Sequence, residues 1–296
     1  METIRNKYHN TNLLKDYYAY QKDMVNRTFG EVKGFKTMRD VYKHLEELNK
    51  KKKRVEEGQL KKFKEECWFM CETISATISG CKGEKKAFKS LETLRGRNVV
   101  LKNVELEFEG HRTELDAVVL NKNGAVIVEV KNTGKDVVIT SSGNLKRKLV
   151  EGGYRTDCNL GLKMNDKEYV LRRALSKSDY KDVPIQSVVV FTDSNIVVDN
   201  QNQFIRTCSL SELPHVVERM NRDGYYNYYK EEINNMAQTI EKARTGWTYN
   251  DNQKLERIKA HHEEIMAQLS KKTGMEIFVE KIKGWLGFDK KTAAAA

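Results

Sequence analysis

Residues 125–132 read AVIVEVKN, an apolar run that closes on Glu129, Val130, Lys131 and Asn132. Side chains alternate between the faces of a strand, so Glu129 and Lys131 share a face. A second alternating run, TELDAVVL (113–120), lies upstream across NKNG, where Asn123-Gly124 is a strong hairpin signal. If Leu120 faces Ala125 across a four-residue loop, Asp116 faces Glu129 and Glu114 faces Lys131. A two-residue loop shifts the pairing but leaves the same side chains on the same face. Either way Asp116, Glu129 and Lys131 gather on one surface of a sheet, beside Val118, Leu120, Ala125 and Ile127, which the pattern buries.

Two close carboxylates in a half-apolar setting repel and are poorly solvated. A divalent cation relieves both problems, and Mg²⁺ is commonly held by one or two carboxylates with waters and substrate phosphates. A neighbouring lysine orients a water or stabilises charge developing on a phosphate. Metal, carboxylates and lysine together suit phosphodiester hydrolysis. The plainer alternative is a cross-strand ion pair worth about 0.2–1 kcal/mol. It accounts for Glu114 with Lys131, but not for Asp116 opposite Glu129, where like charges destabilise. A third acid stands upstream in GEKKAFKSLETL (83–94). Ala87, Phe88 and Leu91 follow Glu84 at helical spacing, so Glu84 points the way of the packed face. Its other reading is an acid in the first turn of a helix, favoured by the dipole.

The elements that hold these residues change in character along the chain. With only two prolines, Pro184 and Pro214, long stretches are free to be helical. Leu60, Phe63, Cys67, Met70 or Cys71, Ile74, Ile78 and Cys81 form a near-heptad seam, and Val41, Leu45, Leu48 and Val55 a looser one. From Asn98 the runs NVVLKNVELEF, RTELDAVVL, AVIVEVKN, DVVIT and LKRKL read as strands parted by turn residues. A helix is predicted from about Asp166 to Ser176, with Val170, Leu171, Ala174 and Leu175 as its apolar contacts. IQSVVVF (185–191) then reads as a strand covered on both faces, and Ser211 as the cap of a helix through Leu213, Val216, Val217 and Met220. Helical stripes return in Tyr229, Ile233, Met236, Ile240, Ala243 and in Leu255, Ile258, His262, Ile265, Leu269. They match the N-terminal seam, so the two ends of the chain are expected to pack together, with dimerisation through the same seams as the alternative.

Gly83-Glu84 at a helix opening, Glu114-Leu115-Asp116, Ile127-Val128-Glu129-Val130-Lys131-Asn132 and Gly134 together resemble the NERD domain, the nuclease-related domain of the PD-(D/E)XK superfamily. IQSVVVFTD resembles that family's final core strand. The likeness covers roughly residues 82–220. It implies an α/β fold, a restriction-endonuclease-like mixed sheet flanked by helices. It also implies a Mg²⁺- or Mn²⁺-dependent nuclease site with Asp116, Glu129 and the Val130 carbonyl as metal ligands, Lys131 as the catalytic lysine and Glu84 as the helix-borne acid. One departure stands out. Members often carry Asn-Pro followed by a glutamine near the next helix; here LKMNDKEYVLRRAL keeps Asn165, has Asp166 in place of the proline, and brings Tyr169 where the glutamine falls.

The expected layout is an N-terminal helical or coiled-coil region (1–81), a nuclease-like α/β domain (82–222) and a C-terminal helical region (223–292). The last four residues, AAAA (293–296), have the look of a cloning remnant. Net charge is +11, from 53 basic and 42 acidic residues. That balance suits a phosphate-bearing partner, nucleic acid and above all DNA, or a membrane surface. Lys135, Lys146 and Arg147 are the candidate substrate contacts. No apolar run approaches the roughly 18 residues of a spanning helix, and METIRNKYHN lacks the core of a signal peptide. The five scattered cysteines fit reduced thiols, so a cytoplasmic location is expected. Cys67 and Cys71 fall on the apolar seam, not in a zinc spacing. His261-His262 is not in HExxH order and reads as packing and exposure. The run NKKKKR (49–54) reads as a solvated helix face or a nucleic-acid contact. The amphipathic stretch 274–291 reads as docking into a bundle or lying on a membrane. Tyr225, Tyr226, Tyr228 and Tyr229 read as packing, with base stacking as the alternative.

Overall fold

The computed structural model describes residues 2–3, 9–31, 34–176, 178–220, 222, 226–245, 251–271 and 278. The chain runs β1 (Glu2–Thr3), α1 (His9–Phe29), α2 (Met38–Lys52), α3 (Glu57–Leu91), β2 (Asn98–Phe108), β3 (His111–Asn121), β4 (Gly124–Lys131), β5 (Val137–Ile139), β6 (Asn144–Lys148), β7 (Tyr154–Asn159), α4 (Leu160–Leu175), β8 (Ile185–Phe191), β9 (Val198–Asn200), β10 (Thr207–Ser209), α5 (Leu213–Arg219), α6 (Lys230–Lys242) and α7 (Asn252–Ser270). It divides into two compact units. One is residues 1–14 with 75–249, the other 15–74 with 250–296. Among the described residues, no helix is long and apolar enough to cross a membrane. The amphipathic 274–291 stretch lies outside the described residues except at Phe278, as do Tyr225 and the terminal alanines.

The first unit is built on a six-stranded mixed sheet in the order β1-β2-β3-β4-β8-β10. β2, β3 and β4 are antiparallel neighbours; β8 runs parallel to β4, and β10 parallel to β8. β8, from IQSVVVF, is thus an interior strand between β4 and β10, with Val188–Phe191 buried. One face carries Ala87, Phe88 and Leu91 of α3 and Leu213 and Val217 of α5 against Val100, Val119, Val126, Val128, Val188 and Val190. The other carries α4 and α6 against Leu101, Val118, Leu120, Ala125 and Ile127. A second sheet, β7-β6-β5-β9, adds Val137, Ile139 and Leu145 to that core. This is the mixed sheet flanked by helices that the resemblance implies.

Two helices differ from the expected layout. The stripe Ile233, Met236 and Ile240 of α6 packs on β2, β3 and α4 within this unit, not on the N-terminal seam. Without it, the β2–β3 end of that sheet face would stay bare. The helix expected from Asp166 starts earlier, at Leu160, because Asn159 caps it by accepting the Leu162 N–H at 2.9 Å.

The second unit is a helical bundle of α1, α2, the start of α3, and α7. Here the ends of the chain do pack together. Leu255, Ile258, His262, Ile265 and Leu269 of α7 are buried, as are Leu60, Phe63, Cys67, Met70 and Ile74 of α3. The basic run has a structural use: Lys50, Lys51 and Lys52 close the last turn of α2, where cations suit the dipole. Lys52 Nζ donates to the Leu269 carbonyl at 2.7 Å, at the end of α7. All five cysteines are free, Cys67 and Cys208 buried.

His262 is 1 % exposed, with Nε2 2.8 Å from Thr28 Oγ1 and no hydrogen-bond partner on Nδ1. Burial, with Arg27 nearby, pushes its pKa down from the ordinary 6.5 to about 4. The folded chain therefore binds fewer protons at His262 than the unfolded chain does. The resulting stability is complete above about pH 6.5 and is lost as pH falls towards 4, on the order of 3 kcal/mol in all. Urea unfolding followed from pH 7 to 4.5 should show the bundle weakening over this window, and His262→Leu should flatten that limb.

Candidate active site

The β3–β4 ladder runs from Asn121↔Gly124 to Ala117↔Val128 and stops there. Its pairs sum to 245, the register expected with Leu120 opposite Ala125. Beyond Val128, β4 continues to pair with β8 as far as Lys131↔Phe191. The strands β3 and β4 therefore part just where the acids begin. On the other side, the β2–β3 ladder passes from Lys102↔Ala117 to Val104↔Leu115 across Asn103, whose φ is +48°. Facing switches at this kink: Leu101 and Val104, three apart, join the same core. Asp116 is released from regular pairing on both sides. Its Oδ2 instead accepts the Val130 N–H at 2.7 Å.

Glu129 and Lys131 project from β4 toward α4, on the face of Ala125 and Ile127. Asp116 meets them there. Lys131 Nζ donates to Glu129 Oε1, so Lys131 pairs with Glu129 and not with Glu114. The residue that completes the cluster is Lys167, on α4. Its ammonium donates to Glu129 Oε2 and lies 3.4 Å from Asp116 Oδ1. Glu129 is 4 % exposed and Lys167 6 %. Each of the four carboxylate oxygens thus has a donor: Val130 N–H, Lys131 once, and Lys167 twice. Two carboxylates face two ammonium groups, and the cluster is formally neutral.

The electrostatics follow from burial and these contacts. Burial works to raise Glu129, but Lys167 and then Lys131 outweigh it and hold the carboxyl at about 2. Burial and the Glu129 charge push Asp116 above the ordinary carboxylate value, despite both lysines. Burial works against the charge of each lysine, yet the two carboxylates hold both above the ordinary lysine value. Glu114, paired across the ladder with Glu105, is pushed up to about 7 by burial, then by Asp116, Glu84 and Glu105.

Gly83 and Glu84 do not open a helix; they lie well inside α3, which begins at Glu57. The first-turn reading of Glu84 therefore falls. Its charge acts on Glu114. Gly83 has a packing reason instead. A Cβ there would come within 2.6 Å of the Asn132 Cβ. Asn132 Nδ2 donates to the Ser79 carbonyl at 2.8 Å, and its Oδ1 accepts from Thr192 Oγ1 at 2.7 Å. One asparagine thereby ties α3 to the ends of β4 and β8. Lys135 is exposed beyond β4, and Lys146 and Arg147 lie on β6. Arg147 is paired with Asp157. The Tyr169 hydroxyl donates to Glu109, outside the cluster. Asn165 lines a separate cleft of about 540 Å³ with Arg206 and Ser187.

Lys167 is the residue that sequence reasoning missed. The signal was present: Leu160, Met164, Lys167, Leu171 and Ala174 step by four and three along the buried row of α4. A lysine in an apolar row needs a buried acid opposite it.

Two converging carboxylates beside a main-chain amide suit a hard, oxygen-seeking cation such as Mg²⁺ in donor chemistry. The described residues contain no group of three or more His, Cys, Asp or Glu side chains placed to hold a metal. The donors on hand are therefore Asp116, Glu129 and the main chain, and the cation now between them is the Lys167 ammonium.

Residues 79–192 match the family model of NERD, the nuclease-related domain. No curated protein and no solved structure matches the chain.

Proposed function

With a nuclease-related domain over residues 79–192 as the premise, we propose that the chain hydrolyses phosphodiester bonds in nucleic acid, DNA before RNA, using Mg²⁺ or Mn²⁺. The observation that carries this reading is the meeting of Asp116, Glu129 and Lys131 on one face where β3 and β4 part. Asp116 and Glu129 would hold the metal, with the Val130 carbonyl beside them. A bound divalent cation supplies Lewis acidity and a water that loses its proton near neutral pH. Lys131 contributes a fixed positive charge. Its ammonium, bonded to Glu129, is suited to steady charge gathering on a phosphoryl oxygen. The net charge of +11 favours a polyanionic substrate. A role in bacterial defence or DNA processing would fit such an activity.

A second reading is a binding module that keeps the fold without cutting. It is favoured by the donors already on every carboxylate oxygen. The two separate on incubation with plasmid, linear duplex, single-stranded DNA and RNA, with Mg²⁺ or Mn²⁺ and with EDTA. Cutting that requires metal and disappears in Asp116→Ala is the expected result. Cutting that survives in Asp116→Ala removes the site assignment. Salt-sensitive binding with no cutting of any substrate leaves the binding module.

A further inference from the structure

We propose that Lys167 is a tethered counter-ion that competes with divalent metal for Asp116 and Glu129, so that metal enters only as this side chain withdraws. The proposal rests on the reading of Asp116 and Glu129 as metal ligands. Three observations carry it.

The first is position. The Lys167 ammonium touches both carboxylates, the point two shared ligands would offer a metal. The second is charge. Asp116 and Glu129 are balanced by Lys131 and Lys167, and a divalent ion added to that set would leave two excess positive charges in a buried site. Removing Lys167 leaves one. Lys131 need not move, because it holds only one oxygen of Glu129 and its side chain is 24 % exposed. The third is the means of withdrawal. Lys167 stands on a helix, joined to the site only by a flexible four-carbon stem.

The result is a two-state site. In one state an ammonium neutralises the acid pair and the site is closed to metal. In the other the ammonium has moved aside and the carboxylates take a divalent ion.

The test uses Mn²⁺ alone as the probe, on the full chain freed of metal. Calorimetric titration, with free Mn²⁺ followed by electron paramagnetic resonance, would compare the wild type with Lys167→Met and Lys167→Gln. Both variants should bind one Mn²⁺ at least about 10-fold more tightly than the wild type. Adding Asp116→Asn to Lys167→Met should abolish that gain. Equal or weaker Mn²⁺ binding in both variants overturns the proposal, as does tight binding that persists without Asp116. If the variants fold only when Mn²⁺ is supplied, metal has replaced the lysine and the proposal stands; if Mn²⁺ does not restore folding, it falls. Cleavage is scored separately. Tighter Mn²⁺ binding with no cutting by any protein removes the nuclease reading and keeps the counter-ion. Metal-dependent cutting with Mn²⁺ affinity unchanged by Lys167→Met does the reverse.

Discussion

Replacing Lys131 with methionine should lower the single-turnover cleavage rate by about 10²–10³-fold, the range for removing one preorganised group that meets developing charge. Mn²⁺ affinity should stay the same or rise. The split follows from where Lys131 sits. Its ammonium bonds to one oxygen of Glu129 and is not itself a metal donor, so its loss removes positive charge without removing a ligand. Methionine keeps the length of the stem and its apolar packing. Lys167 is not placed to take over: in the metal-free site it holds the opposite oxygen of Glu129 and reaches to Asp116, and a metal bound there would displace it from the cluster. Glu129→Gln should behave differently, losing metal affinity and rate together. Thermal melts would show that each variant is folded. A Lys131→Met protein that cuts at the wild-type rate would remove this lysine from the mechanism.

Replacing Gly124 with valine should destabilise the first unit by about 3–5 kcal/mol, if it folds at all. Gly124 closes the β3–β4 turn with φ at +131°, a conformation a β-branched residue does not adopt. A Cβ there would also lie 2.5 Å from the Pro184 carbonyl oxygen, which accepts the Ala125 N–H at 2.9 Å. The clash is with backbone, and it falls where β4 begins to pair with β8. Urea unfolding reads the loss directly. An unfolding free energy within about 0.5 kcal/mol of the wild type would mean the turn can be rebuilt at little cost. The same turn sets the register that brings Asp116 and Glu129 together, so cleavage should fall with stability.

The hairpin was the most legible part of the chain. Alternation around Asn123-Gly124 gave the common face of Asp116, Glu129 and Lys131 and left two pairings open, of which the one with Leu120 opposite Ala125 is found. The parting of β3 from β4 was not legible. It goes with the positive φ of Asn103 and with the Val130 N–H donating to the Asp116 side chain, local backbone details that side-chain alternation does not encode. Lys167 was hidden for a different reason. A charged residue on a helix ordinarily faces water, and only the acids on another element make its burial sensible. Spacing also gave the seams of α3 and α7, but not where each apolar face docks. The α6 stripe has the same period as that of α7, and only the uncovered end of the sheet decides its place.

The docking of α6 has a bearing on how the protein can be dissected. Residues 79–192 carry the recognisable motif, yet Ile233, Met236, Ala237 and Ile240 belong to the same core as Val118 and Ile127. On the opposite face Leu213, Val217 and Met220 do the same for Val126 and Val128. A fragment cut to the limits of the motif would begin partway along α3 and expose apolar side chains on both faces of the sheet. The unit of recognition in the sequence is smaller than the unit of folding, and an excised domain meant to stay soluble needs to extend through α6.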